Sequence, residues 1–471
     1  MKVALILDHP RRDLGGLCLL SMELVRRGHS VYLVPMYLND EVLSIIPDLV
    51  VLNYLRRPSR NFLRTLHACG IPVAVHSTEG GPINEVQRYK HDLLLEADLT
   101  DRIEFYSFWG EKLAATAREE SWFPEDRIAV TGSPRFDLYH PDWRAAAIEI
   151  NRETPAPPQP FVLICSNYGL SNSAFCDGEG AVKALTEQHN YDPALVRSWL
   201  ASEELAITAM IKLVKSQAER LPSVTFVWRP HPFEKVETYQ KEFAGIKNIV
   251  VRAEGEIVGW MLRASAAIQQ FCTTGFDAWF AGVPSFRPAW IPAYIGVGEQ
   301  NAVNFDCENE ESLYENLKAA TSGNYHYDEE FTRGADERTK SWFHGGDGRS
   351  YVRLADRIES TIPKHSVAKR VASVRAKTAT RFPRRIVDSA LHAAGFMPPW
   401  NSENFRNRLG LVKRYKASVK YFDPAIVRRI TGILAAHSKG SFPAVHVCSG
   451  SESGTYILGN RRAESVVVTR G

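Results

Sequence analysis

The 471 residues, 44% hydrophobic and 24% charged, are too many for one core and suit two globular domains plus an appendage. No apolar run approaches the ~20 residues that span a bilayer, and the opening Met1-Lys2-Val3-Ala4-Leu5-Ile6-Leu7-Asp8 reads as a strand rather than a secretory leader, so a cytoplasmic chain is expected. The seven cysteines are scattered without a Cys-x-x-Cys pair, which signals neither a disulfide framework nor a zinc site, and the net charge of +3 conceals a basic end: from Pro363 to Gly471 stand 20 Lys and Arg against 5 Asp and Glu, leaving residues 1–362 acidic.

Val3 to Leu7 is a buried-strand pattern, Gly15-Gly16 leads into a helix with Leu17, Leu20 and Leu24 on one face, and Val31 to Val34 returns as a strand after Gly28. The turn from Asp8 to Gly16 is not a Gly-x-Gly-x-x-Gly fingerprint, so a dinucleotide site is not indicated. Further strands are expected at Leu49–Leu52, Val73–Val75, Ile103–Phe105 and Ile128–Val130, giving a doubly wound α/β domain over residues 1–153. Two of its strand ends carry polar groups beside glycines: His76-Ser77-Thr78-Glu79-Gly80-Gly81 and Thr131-Gly132-Ser133-Pro134-Arg135-Phe136-Asp137. A carboxylate so held, Glu79 or Asp137, could take a proton from an attacking hydroxyl. The plainer alternative for Glu79 is a solvated or turn-capping acid, and for Asp137 a cap or a partner of Arg135. Histidines at strand ends are more often structural donors, which covers His9 and His140; His76 is kept as an accessory because it adjoins Glu79. No Gly-x-Ser-x-Gly, His-Glu-x-x-His or P-loop occurs, which argues against hydrolase, zinc protease and ATPase readings.

The Pro-rich stretch 154–160 reads as an interdomain linker, and 161–345 as a second doubly wound domain. Its first strand, Phe161–Cys165, ends in Ser166-Asn167-Tyr168-Gly169, polar groups that either bind a ligand or cap a turn. Ile207, Met210, Ile211, Val214, Ala218 and Leu221 form a helical stripe best read as core. The run Val224 to Trp228 breaks at Arg229-Pro230-His231-Pro232-Phe233-Glu234, and the run Ala266 to Phe271 breaks at Cys272-Thr273-Thr274-Gly275-Phe276-Asp277 before a helical pattern. If both strands are parallel and neighbours, the two corners meet at one sheet edge. Thr273 or Thr274 would cap the helix, Gly275 would let a ligand approach the backbone, and free N–H groups at the helix start would hold a phosphate. His231 and Arg229 would add donors, and Asp277 could accept from ribose hydroxyls. Together the corners read as a site for a nucleotide monophosphate or diphosphate.

Three segments, Arg229-Pro230-His231-Pro232, Thr273-Thr274-Gly275-Phe276-Asp277-Ala278 and Gly282-Val283-Pro284, resemble the donor half of GT-B glycosyltransferases of bacterial surface-carbohydrate synthesis, near the Kdo transferases and the CDP-glycerol glycerophosphotransferases. Gly132-Ser133-Pro134-Arg135-Phe136-Asp137, Thr78-Glu79-Gly80 and Phe108-Trp109-Gly110 resemble that group's first-half elements; the acid that precedes Glu-Gly there is replaced here by Thr78, and the ribose-binding Glu by Asp277. The resemblance implies an α/β GT-B fold, two Rossmann-like doubly wound domains facing a cleft, a nucleotide-sugar donor, a glycan or glycolipid acceptor and no bound metal. The expected mechanism holds the donor at Arg229, His231, Thr273, Thr274, Gly275 and Asp277, with Ser166 and Asn167 beside it. His231 and the helix start stabilise the departing phosphate, and Glu79 or Asp137 activates the acceptor. The rivals are a nucleotide-sugar epimerase of the same fold and a non-catalytic assembly factor.

A helix within 346–362 is expected to cross back to the first domain, and 363–471 to form a basic extension. Its mixtures of basic and apolar residues, Val367–Ala394, Phe396–Trp400, Lys413–Tyr421 and Ile426–Ala436, suit an anionic membrane surface at the inner face of the plasma membrane. A basic, partly disordered tail is the plain alternative, and no nucleic-acid-binding signature accompanies it.

Overall fold

The computed structural model describes residues 1–36, 41–56, 59–83, 89–90, 100–189, 191–292, 298–344, 346–361, 367–379, 420, 422–449 and 465–471. They form two compact units. Unit 1 comprises Met1–Gly80, Leu93–Asp137 and Asp347–Gly471; unit 2 comprises Gly81–Asp92 and Leu138–Gly346.

Unit 1 is built on β1 (Lys2–Leu7), β2 (Ser30–Pro35), β3 (Leu49–Leu52), β4 (Val73–His76), β5 (Tyr106–Phe108) and β6 (Ile128–Val130), joined near its end by β13 (Val445–Ser449) and β14 (Val466–Arg470). The sheet order is β13-β14-β2-β1-β3-β4-β5-β6. The first six strands are mutually parallel, and most of their residues are buried, which is why they read as continuous apolar runs. The expected strand Ile103–Phe105 falls just short: the paired residues are the next three, Tyr106–Phe108.

The first helix starts earlier than the glycines suggest, running from Pro10 to Arg26 with His9 as N-cap. Gly16 lies inside it for a packing reason: a Cβ there would sit 2.6 Å from the Arg135 backbone nitrogen and 2.8 Å from the Pro134 carbonyl carbon. The Pro-Arg-Phe-Asp segment therefore packs directly on the helix backbone.

The described part of the tail is woven into unit 1. β14 pairs antiparallel with β2, Val467 opposite Tyr32, and β13 pairs with β14. Helix Pro424–His437 buries Val427, Ile430 and Leu434. Two tail cations find acids of the same unit, Arg370 with Asp48 and Lys420 with Asp8. Residues 380–394, Phe396–Trp400 and, apart from Lys420, Lys413–Tyr421 lie outside the described residues. Among the described residues no helix is long and apolar enough to cross a membrane.

Unit 2 carries β7 (Phe161–Cys165), β8 (Thr225–Arg229), β9 (Ile249–Val251), β10 (Ala266–Ile268), β11 (Ser285–Pro288) and β12 (Phe305–Cys307) in the order β12-β11-β10-β7-β8-β9, all parallel. Helix Pro193–Arg220 lays Met210, Leu213, Val214 and Ala218 against Val162, Phe226, Trp228 and Ile268, so the expected stripe is core. The boundary between units falls at Asp137/Leu138, ahead of the Pro-rich stretch. Helix Pro141–Ile150 and the residues after it group with unit 2, where Arg144 Nη2 donates to Phe280 O (3.2 Å) and Glu256 N to Asn151 Oδ1 (2.8 Å). The Pro-rich stretch is itself anchored there, with Gln159 Nε2 donating to Arg263 O and Arg263 Nη1 to Thr154 O.

Gly16→Ala should cost about 1–3 kcal/mol of unit 1 stability through overpacking, despite the better helix propensity of Ala. Thermal unfolding checks this; an unchanged or raised Tm would show that the Pro134–Arg135 backbone moves aside freely.

Candidate functional site

In a doubly wound sheet, ligands gather at the carboxyl ends of strands where the strand order reverses. In unit 2 that place is beside β7, since the chain moves from β7 outward to β8 and β9 on one side and β10 to β12 on the other. β8 and β10 are accordingly not neighbours, as the two-corner reading required; β7 stands between them. The reason is topological, because a doubly wound fold returns to the centre of its sheet instead of adding strands in sequence order. Three corners share the edge, and the middle one links the outer two.

Ser166, Asn167 and Tyr168 make those links. Ser166 N donates to Arg229 O (3.2 Å) and Ser166 Oγ to Glu234 Oε2 (2.9 Å), on the β8 side. Asn167 Nδ2 donates to Phe271 O (3.3 Å) and the Tyr168 hydroxyl to Gln270 Oε1 (2.6 Å), on the β10 side. Ser166 is buried and Asn167 half-buried, so both act on the protein's own corners.

Glu234 is the hub of the β8 corner. It is 3% exposed, and its Oε1 accepts from Tyr168 N (2.9 Å) and His231 N (3.2 Å), while its Oε2 accepts from Ser166 Oγ and the Tyr239 hydroxyl. Burial pushes its pKa up to about 7, opposed by those four donors. A second buried carboxylate, Glu203 on helix Pro193–Arg220, accepts from Leu170 N (2.8 Å) and Ser171 N (2.6 Å), and burial raises it also to about 7. Both carboxylates therefore brace the loop that follows β7.

His231 is half-buried at the β8 end. Its Nδ1 accepts from Phe233 N (3.3 Å), which assigns the proton to Nε2 and makes that nitrogen a donor. Thr273 and Thr274 are half-buried at the β10 end. Neither side chain caps helix Thr274–Ala281; the N-cap Thr273 has helical backbone angles. The Gln269 amide covers the helix start instead: in the orientation that satisfies both its ends, its oxygen accepts from Gly275 N (2.8 Å) and its nitrogen donates to Thr274 Oγ1 (2.9 Å). Gly275 is buried and small because the Gln269 and Asn304 side chains occupy the space a Cβ would need.

Two nominated ligand contacts are turned to other work. Arg229 Nη1 and Nη2 donate to Glu254 O and Gly255 O (both 2.7 Å), so the guanidinium fixes a loop of the protein. Asp277 is fully buried and its Oδ1 accepts from the Tyr139 hydroxyl (2.7 Å), which leaves it no surface for ribose. Arg229 ends β8 and Asp277 lies in the helix after β10, as the sequence pattern indicated, but spacing could not give the direction of their side chains.

In unit 1, Asp137 is 2% exposed and accepts from Ser350 N (3.1 Å) and Tyr351 N (2.8 Å), capping helix Ser350–Glu359; burial raises its pKa to about 7. Its observed work is structural. Glu79 stands at the β4 end with its side chain 41% exposed, paired with Arg56 and with Arg12 Nη1 (3.8 Å). His76 is buried against Ser107 Oγ (2.9 Å), and burial alone lowers it to about 4. Trp109 is 2% exposed and its Nε1 donates to Ser77 O (2.7 Å), a packing role. Among the described residues no group of three His, Cys, Asp or Glu is placed to hold a metal.

Glu234, Glu203, Gln269 and Gln270 are the site residues that sequence reasoning missed. Glu234 was within reach, as an acid closing a Pro-rich corner three residues after its histidine; for Glu203, in the middle of a long helix, no local signal exists.

Searches against protein-family models and curated proteins find no match. Among solved structures, the UDP-GlcNAc 2-epimerase of Neisseria meningitidis, bound to UDP-GlcNAc, shares 12% identity over 77% of this chain and 100% of its own, with a TM-score of 0.51. The UDP-GlcNAc 2-epimerase of Methanocaldococcus jannaschii, in complex with UDP-GlcNAc and UDP, has 12% identity over 76% and 99%, TM-score 0.47, and the wall teichoic acid polymerase TagF 12% over 76% and 88%, TM-score 0.48. With its two parallel Rossmann-like sheets, the chain has the GT-B fold.

Burial raises the folded Glu203 carboxyl to about 7, above the ordinary carboxylate range of an unfolded chain, so the folded state binds its proton first. The resulting stability is present below about pH 4.5 and is lost as pH rises through 7, by roughly 3 kcal/mol at most. Glu203→Gln removes this titration, so its Tm relative to the unmodified protein should be higher at pH 8 than at pH 5. A difference independent of pH would refute the assignment.

Proposed function

We propose that the chain works on a nucleotide-activated sugar, as a metal-independent glycosyltransferase acting on a surface glycan or glycolipid at an anionic membrane face. The observation that carries the nucleotide part is the convergence of the β7, β8 and β10 ends at the order reversal of unit 2, cross-linked so that His231 Nε2 and the start of helix Thr274–Ala281 belong to one edge. A neutral imidazole donor suits a phosphate oxygen, and the positive end of the helix adds its field from behind the Gln269 amide that covers Gly275 N; both stabilise the charge that develops as a nucleotide leaves. The UDP-GlcNAc held by the Neisseria protein of like fold supports the same ligand class. On the acceptor side Glu79 is the carboxylate of choice, since Asp137 is spent on a helix cap.

The epimerase reading keeps one specific observation in its favour: Glu79, the acid nominated to deprotonate an acceptor, is held by Arg56 and Arg12. An epimerase turns over its sugar nucleotide with no acceptor at all.

A thermal-shift panel of CMP, CDP, UDP, GDP and their sugars identifies the donor. His231→Ala should weaken the selected nucleotide about 10- to 100-fold, as expected for a hydrogen bond to a charged group; equal affinity in variant and unmodified protein would remove His231 from the site. Glu79→Gln should abolish transfer while leaving donor binding nearly intact. An altered sugar nucleotide formed without acceptor would favour the epimerase, and full transfer by the Glu79→Gln variant would eliminate that carboxylate as the base. Transfer lost in EDTA and restored by a divalent cation would contradict metal independence.

A further inference from the structure

The end of β1 carries a buried histidine that the nucleotide reading does not use. β1 lies between β2 and β3, at the order reversal of the unit 1 sheet, and the chain passes from its end through Asp8 and His9 into the first helix. This is the position in unit 1 that corresponds to the β7 end in unit 2. His9 is 5% exposed, and its Nδ1 accepts from Arg11 N (3.2 Å), so the proton resides on Nε2. Among the described residues that Nε2 is buried without a hydrogen-bond partner. Buried donors are almost always paired, and one left over at a strand-order reversal calls for an acceptor that the described residues do not provide.

The neighbouring charges define what that acceptor is. Arg12 Nη2 donates to Asp8 Oδ2 (2.5 Å) and Arg12 Nε to Asp13 Oδ1 (2.9 Å), while Lys420, from the C-terminal tail, bonds the other oxygen of Asp8. Burial works against a charged Asp8, yet Arg12, Lys420 and Arg56 together hold its carboxyl below the usual carboxylate range. Burial, followed by Arg12, keeps His9 well below the ordinary imidazole range, so the ring is neutral and offers one N–H. The charges that act on it most strongly are the cations Arg12, Lys420 and Arg11 and the acid Asp8, while the buried Asp13 carboxylate, paired with Arg12, accepts from His9 N (3.1 Å). A ligand atom accepting from Nε2 in that field is favoured when it carries negative charge and disfavoured when it carries positive charge.

We propose that the β1 end of unit 1 is a second ligand site, for an oxyanion of the phosphate or carboxylate class, in which His9 Nε2–H donates directly and Arg12 and Lys420 supply the attracting charge. Lys420 gives the tail a place in this site, because it brings a cation to Asp8 from more than 400 residues away in the chain. On the transferase reading the oxyanion belongs to the acceptor. The site itself rests on unit 1 alone and stands whether or not unit 2 binds a nucleotide.

The test uses the full chain with 15N-labelled histidine, following the His9 imidazole resonance during titration with inorganic phosphate, glucose 6-phosphate and N-acetylneuraminate at constant ionic strength. The resonance is assigned by comparison with His9→Gln and by its proximity to the Arg11 amide. The expected result is a saturable shift of the Nε2–H signal, at least tenfold weaker in Lys420→Met and unchanged in His231→Ala, which separates this site from the nucleotide edge. Tighter binding of glucose 6-phosphate or N-acetylneuraminate than of phosphate identifies an anion carried on a sugar; tightest binding of phosphate identifies the free ion. Should either unit 1 variant fail to fold, the titration of the unmodified protein decides. No shift with any of the three probes, or a shift that never saturates and is matched by chloride, meaning an adventitious ion only, overturns the proposal.

Discussion

The carboxylate of Glu234 is the interaction on which the rest of the candidate site depends. Four neutral donors from two corners meet on it: Ser166 Oγ and Tyr168 N after β7, His231 N after β8, and the Tyr239 hydroxyl from the following helix. A buried acid without a cationic partner is costly, and this one is tolerated because its lone pairs are well supplied. In return it fixes the backbone of the histidine whose Nε2 is the proposed phosphate donor. With Asn167 and Tyr168 reaching to the β10 corner, three loops that a parallel sheet merely places along one edge become a single braced platform. The bracing is shared between side chain to backbone and side chain to side chain bonds, which is how loops at a strand-order reversal can be rigid without secondary structure of their own.

Much of the fold was legible because strands of a parallel sheet are buried on both faces and so appear as short apolar runs closed by Pro, Gly or Thr. Phe161–Cys165 and Val73 with its neighbours are such buried apolar runs, each opening after a proline, while the half-buried edge strand Ile128–Val130 is the one closed by Thr131-Gly132. What the pattern could not convey was strand order. Two corners read as adjacent turned out to flank β7, and the segment thought peripheral, Ser166-Asn167-Tyr168, proved to be the connector.

The direction of side chains was equally illegible. Arg229 and Asp277 sit where a phosphate and a ribose contact were expected, yet one guanidinium is spent on the Glu254 and Gly255 carbonyls and the other group is buried against Tyr139. The Pro-Arg-Phe-Asp element shows the same lesson in unit 1: its proline and arginine backbone rest on Gly16, and Asp137 caps a helix more than 200 residues later. The basic tail was legible as composition only. Acids that pair with it, Asp8 and Asp48, lie near the start of the chain, so part of the charge asymmetry is answered inside unit 1, and the last strand closes the β2 edge that would otherwise be exposed.

The most direct measurement of the central claim is hydrogen–deuterium exchange of the full chain with and without the nucleotide selected by thermal shift. Slowed exchange confined to three separate segments, 166–175, 231–235 and 269–276, is the result this account predicts, because a ligand on the braced edge must touch or tighten all of its corners together. Protection of none of them, or of one with the other two unaffected, would contradict it.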